Sequence, residues 1–112
     1  MATRDLLVRR VLSELGLRQA GQEPSPEDVA AVQEVIPAAV DELALRRVIY
    51  IADPNDFEDA YLQWLAVWIA QFVATDFGKE KDGDAMMAAE MRLRSLGNST
   101  EYVYTPARPL YF

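Results

Sequence analysis

Apolar residues recur at three- and four-residue intervals along most of this chain, a period that predicts four amphipathic helices. The first starts behind Thr3 as N-cap and runs to about Leu15, with Leu7, Val8, Val11, Leu12 and Leu15 on one stripe. Gly16 is suited to the position after its C-cap. A polar linker from Arg18 to Pro24 carries no period. In Ser25-Pro26-Glu27-Asp28 a capping serine precedes a proline fit for the first helical position, and two acids favour the positive end of a helix dipole. The second helix carries Val29, Val32, Ile36, Val40 and Leu43 on one face and is expected to continue towards Ile49 or Ile51. Pro37 inside it removes a backbone donor, so a kink or break is expected near Ile36.

Asp53-Pro54-Asn55-Asp56 reads as a turn, with Asn55 or Asp56 capping a third helix over about Phe57 to Phe77. That helix holds Tyr61, Leu62, Leu65, Trp68, Ile69, Phe72 and Val73, apolar over more than one face, and should be the central one. Gly78 ends it, and Lys79 to Gly83 form a charged loop. The fourth helix is expected over about Asp84 to Leu96, packing through Met87, Met91, Leu93 and Leu96, with Gly97-Asn98 as its stop. The fold class is therefore all-α: a bundle of about four helices, residues 1–98, followed by an extended C-terminal arm, residues 99–112.

The arm breaks the helical period yet holds four of the chain's eleven aromatics, Tyr102, Tyr104, Tyr111 and Phe112. Glu101 to Thr105 reads as a strand-like run with Tyr102 and Tyr104 on the same side, and Pro106 and Pro109 bias the remainder towards extended backbone. Disordered tails are normally poor in aromatics. Two readings stay open: an arm that docks on another molecule, and an arm that folds back over its own bundle.

Composition narrows the chemistry. The chain of 112 residues has neither cysteine nor histidine, which removes thiolate sites, disulfides and the commonest general base and metal ligand. Its formal net charge is −7, concentrated between Glu23 and Asp59, where ten acids face two bases, Arg46 and Arg47. Such a chain does not hold DNA by general phosphate neutralisation, although an acidic surface past which DNA slides remains compatible with it. The longest apolar run, Leu62 to Ala74, is interrupted by Gln63 and Gln71 and too short to span a bilayer. With no leader-like start, a soluble protein made in the cytoplasm is expected.

Each cluster of charge has an ordinary account. The acids around Asp53 lack the glycine and the final glutamate of a calcium loop, Glu58 and Trp64 standing in those places, and cap a helix instead. No metal or other cofactor is expected, and no catalytic residue. Arginine outnumbers lysine nine to two, and its bidentate pairing with carboxylates makes Arg9, Arg10, Arg46 and Arg47 candidates for contacts between subunits, beside ordinary intrachain pairing. Trp64 and Trp68, one turn apart, read as packing residues.

The order of these features resembles the small head–tail connector (adaptor) proteins of tailed bacteriophages and gene transfer agents. The stretches that carry the likeness are Asp5 to Gly16, Ser25-Pro26-Glu27-Asp28-Val29, Val40-Asp41-Glu42-Leu43, the helix from Leu62 to Phe77 and the amphipathic helix after it. The resemblance implies a virion protein of the head–tail neck that forms a dodecameric ring beneath the portal protein ring. There it extends the DNA channel without sequence-specific binding, helps retain packaged DNA, and offers a surface to the downstream neck or tail protein. By the same resemblance, portal docking falls on Tyr102, Val103, Tyr104, Pro106, Arg108, Leu110, Tyr111 and Phe112. The alternative is a cytoplasmic helical regulatory or interaction module whose tail folds on a different protein.

Overall fold

A computed structural model of the chain describes the backbone of residues 2–17 and 21–103 and the side chains of 2–17 and 21–97. It is an all-α bundle of four helices, α1 (Arg4–Glu14), α2 (Pro26–Leu45), α3 (Asp59–Val73) and α4 (Gly83–Val103), with a 3₁₀ turn over Ala74–Phe77 after α3. Among the described residues the one piece of β pairing is an isolated antiparallel bridge, in which Ala2 and Phe57 exchange backbone hydrogen bonds of 2.8 and 3.0 Å. That bridge ties the chain start to the loop ahead of α3 and seats both side chains in the core.

Helix α3 is central, packing against α1, α2 and α4, because its apolar residues extend round most of its circumference. Leu65, Trp68, Ile69 and Val73 are buried, Tyr61, Leu62 and Phe72 partly so, and Trp68 and Phe72 stack with centroids 5.0 Å apart. The expected stripes of α1 and α2 also form the core: Leu7, Val8, Val11, Leu12, Val32, Ile36, Val40 and Leu43 are all buried.

The helix ends follow capping chemistry. Thr3 Oγ1 accepts from the Leu6 amide, and α1 closes with Gly16 at φ 76° while Leu17 N–H donates to the Leu12 carbonyl at 2.9 Å. Ser25 occupies the N-cap of α2, but its side chain makes no cap hydrogen bond there; Pro26 and the acids Glu27 and Asp28 supply the start. At its other end α2 stops at Leu45, short of the expected Ile49 or Ile51. Arg47 turns into the left-handed region at φ 56°, so that Arg47 N–H reaches Ala44 O at 3.0 Å and Val48 N–H reaches Leu43 O at 2.9 Å. The closure is the one glycine usually makes, with an arginine in its place.

Pro37 does not break α2, which runs unbroken from Pro26 to Leu45. The carbonyl that Pro37 leaves without its helical donor is that of Gln33, and Arg4 Nη2 of α1 donates to it at 2.8 Å. A guanidinium from the neighbouring helix thus replaces the missing amide.

Three further expectations are corrected. Helix α3 begins at Asp59 behind Glu58, because Phe57 is held in the bridge with Ala2 and the turn before it closes on Asp53, whose side chain accepts from Asn55 N–H at 2.9 Å. Met87 and Met91 are 62% and 64% exposed, and the face of α4 that packs inward carries Met86, Ala89, Glu90 and Leu93. Finally, α4 does not stop at Gly97-Asn98 but continues through Val103, so Glu101, Tyr102 and Val103 are helical and the boundary between residues 98 and 99 falls inside a helix. Gly97 has no positive φ, and a helix needs one only where it ends. The rest of the predicted arm, Tyr104 to Phe112, lies outside the described residues.

Candidate functional site

The most extensive helix pairing of the bundle is the antiparallel one of α4 with α3. Asp82 N–H donates to Gln71 Oε1 at 2.6 Å, Trp68 Nε1 donates to Glu90 Oε1 at 3.1 Å, and the Arg92 guanidinium lies 5.4 Å from the Trp64 ring centroid. Continued at the same register, this pairing brings α4 to the first residue of α3 at about residue 97. With 21 residues against 15, α4 therefore has in 98–103 a stretch of backbone with no counterpart in α3, about 9 Å of helix at the usual rise. That stretch includes Tyr102 and Val103 of the residues assigned to partner binding; Tyr104, Pro106, Arg108, Leu110, Tyr111 and Phe112 lie outside the described residues.

At the middle of α4 sits Glu90, 7% exposed and the one buried charged residue among those described. Burial of a carboxylate is costly unless it is paired and hydrogen-bonded. Here Arg46 Nη2 lies 2.8 Å from Oε1, Arg94 Nη1 lies 3.9 Å from Oε2, and the Trp68 indole N–H completes the set. Arg94 Nη2 also donates to the Arg46 carbonyl at 3.3 Å, so the C-cap of α2 is bound to α4 although the two helices do not otherwise pack. Glu90 was hidden in the sequence because an acid in a core register reads as a break in the apolar stripe. The usable signal was its place three residues before Leu93 and four after Met86.

The four arginines singled out as subunit contacts divide. Arg9 pairs with Asp5 at 3.2 Å and Glu23 at 3.7 Å, and Arg10 donates to Gln63 Oε1, whose amide in turn donates to Glu14. Arg46 is in the Glu90 junction, 45% exposed. Arg47 is exposed at the left-handed turn. Arg9 also borders an open cleft of about 330 Å³ between α1 and the start of α2, floored by Val8, Pro26 and Val29. Its one cation is already balanced by Asp5 and Glu23.

Two outer surfaces differ in character. Along α2, Glu27, Glu34 and Asp41 are exposed at seven-residue intervals, so they follow one solvated side of the helix. At the C-terminal end of α2, Leu45 is 79% exposed beside Arg46, and Met87 and Met91 share with Arg94 the outer side of α4. Among the described residues no group of three or more carboxylates is arranged to hold a metal ion, and no helix is long and apolar enough to cross a membrane. Comparisons with protein-family models, with curated proteins and with solved structures give no match.

Proposed function

We propose that this chain is a non-enzymatic structural connector of the phage head–tail neck. Copies of it assemble under a portal ring, prolong the DNA channel and present a surface to the next neck or tail protein. The feature that supports this reading most is the length of α4: with 21 residues against the 15 of α3, it leads into a segment rich in aromatics. Aromatic side chains are among the residue types that most often dominate interface energy. One arm alone binds weakly because ordering it costs conformational entropy, whereas a ring that engages many arms together gains avidity of about 10²–10⁴ where the geometry permits.

The acidic side of α2 is consistent with a channel wall or solvated rim past which DNA moves without adhering. Direct binding of duplex DNA that falls steeply with added salt would count against that assignment. The portal role is tested by removing residues 104–112, which leaves α4 (Gly83–Val103) whole, and mixing full-length and shortened protein with a phage portal ring. The full chain should decorate the ring in negative-stain images and the shortened chain should not.

A further inference from the structure

Helix α4 is held differently from the other three. Among the described residues it packs on α3 alone, whereas α1, α2 and α3 all pack on one another. Its pairing with α3 is close but thin. Ala85 and Ala89 let the two backbones approach without burying much apolar surface, and of the described α4 side chains only Ala89, Glu90 and Leu93 are buried. By contrast, α1 and α2 enclose Leu7, Val11, Leu12, Val32, Ile36 and Leu43 completely. The five residues that lead into α4, Gly78 to Asp82, are all exposed.

Among the described residues, what ties α4 to α2 is polar. Glu90 Oε1 lies 2.8 Å from Arg46 Nη2 at the C-cap of α2, and Arg94 Nη2 donates to the Arg46 carbonyl at 3.3 Å. The same Oε1 accepts from the Trp68 indole of α3 at 3.1 Å. The Arg46 and Arg94 side chains are each 45% exposed, so both guanidiniums can exchange Glu90 for water without any rearrangement of the core. We propose that α4 is a hinged strap. It opens as a unit about Gly78 to Asp82, with Glu90 as its clasp, while α1, α2 and α3 stay folded. Opening uncovers Trp68 on α3 and moves the chain that follows α4, so the strap sets when both become available to a partner. Elements that move are drawn from the parts of a fold with few buried apolar contacts, and α4 is such a part. The proposal is independent of what residues 104–112 bind, and its test leaves them in place.

Hydrogen–deuterium exchange of the full chain, followed amide by amide by NMR under native conditions, tests it. The amides of α4 should exchange together, through an opening at least about tenfold more frequent than the one that frees the slowest amides of α1 and α2. Arg46→Met, at a half-exposed position, removes one partner of the clasp. It should speed exchange in α4 by about tenfold or more, the weight of a hydrogen bond to a charged group. Ile36→Val separates a strap from an all-or-none bundle. Ile36 is buried in α2, so the change weakens the three-helix core equally whether α4 is closed or open. It should speed the slowest amides of α1 and α2 by about two- to tenfold and leave those of α4 as they are. Equal rates in α4 and in the core, or an Ile36→Val variant that speeds α4 as much as α1 and α2, overturns the proposal. So does unchanged α4 exchange in Arg46→Met, since Glu90 would then not be the clasp.

Discussion

At the scale of single residues, the bundle is held by polar groups that compensate one another across helices. The clearest case is the Gln33 carbonyl, released by Pro37 and taken up by Arg4 at 2.8 Å. Replacing Pro37 by alanine restores an amide to that carbonyl, so Arg4 should matter less afterwards. In a double-mutant cycle followed by chemical denaturation, Arg4→Ala should destabilise the parent by about 0.5–1.5 kcal/mol more than it destabilises the Pro37→Ala variant. An equal loss in both backgrounds would mean that the hydrogen bond contributes nothing to α2. Arg47 offers a second test. A non-glycine residue in the left-handed region costs about 1–2 kcal/mol, so Arg47→Gly should raise stability by about 1 kcal/mol, read as a higher denaturation midpoint at unchanged slope. A lower midpoint would indicate that the Arg47 side chain holds the turn through a contact that outweighs this backbone cost.

At the scale of elements, the decisive one is α4. Gly97 sits inside it with open space where a Cβ would project and no positive φ, so Gly97→Ala should stabilise the helix by about 0.5–1 kcal/mol. Were Gly97 instead a left-handed stop, as the sequence pattern suggested, the same substitution would destabilise the protein. A thermal melt of the two forms separates these outcomes. The contrast shows where the pattern was legible. Stripes of β-branched and leucine residues placed α1, α2 and α3 correctly, because those side chains have one low-energy location, the core. In α4 the period was ambiguous: methionine and alanine tolerate either environment, and the core register passes through Glu90, whose charge is neutralised by arginines from two helices. Helix ends were legible where glycine makes the turn, at Gly16 and Gly78, and illegible at Arg47, where an arginine adopts a glycine conformation. The Arg46–Glu90–Trp68 junction could not be foreseen, since it joins residues of three helices that only the packing brings together.

At the scale of the whole molecule, charge and length set the functional account. The acidic side of α2, with Glu27, Glu34 and Asp41, faces solvent, while Arg46 at the C-terminal end of that helix pairs with Glu90 of α4. Helix α4 packs on α3 and has more residues than it, 21 against 15. The proposed connector role would divide the labour between a closed helical core and the aromatic-rich C-terminal segment. The most direct measurement is co-sedimentation of the portal ring with the full chain and with the chain ending at Val103, alongside a thermal melt of each. The account predicts that both forms melt cooperatively and that only the full chain sediments with the ring. Equal sedimentation of the two forms, with both folded, would contradict it.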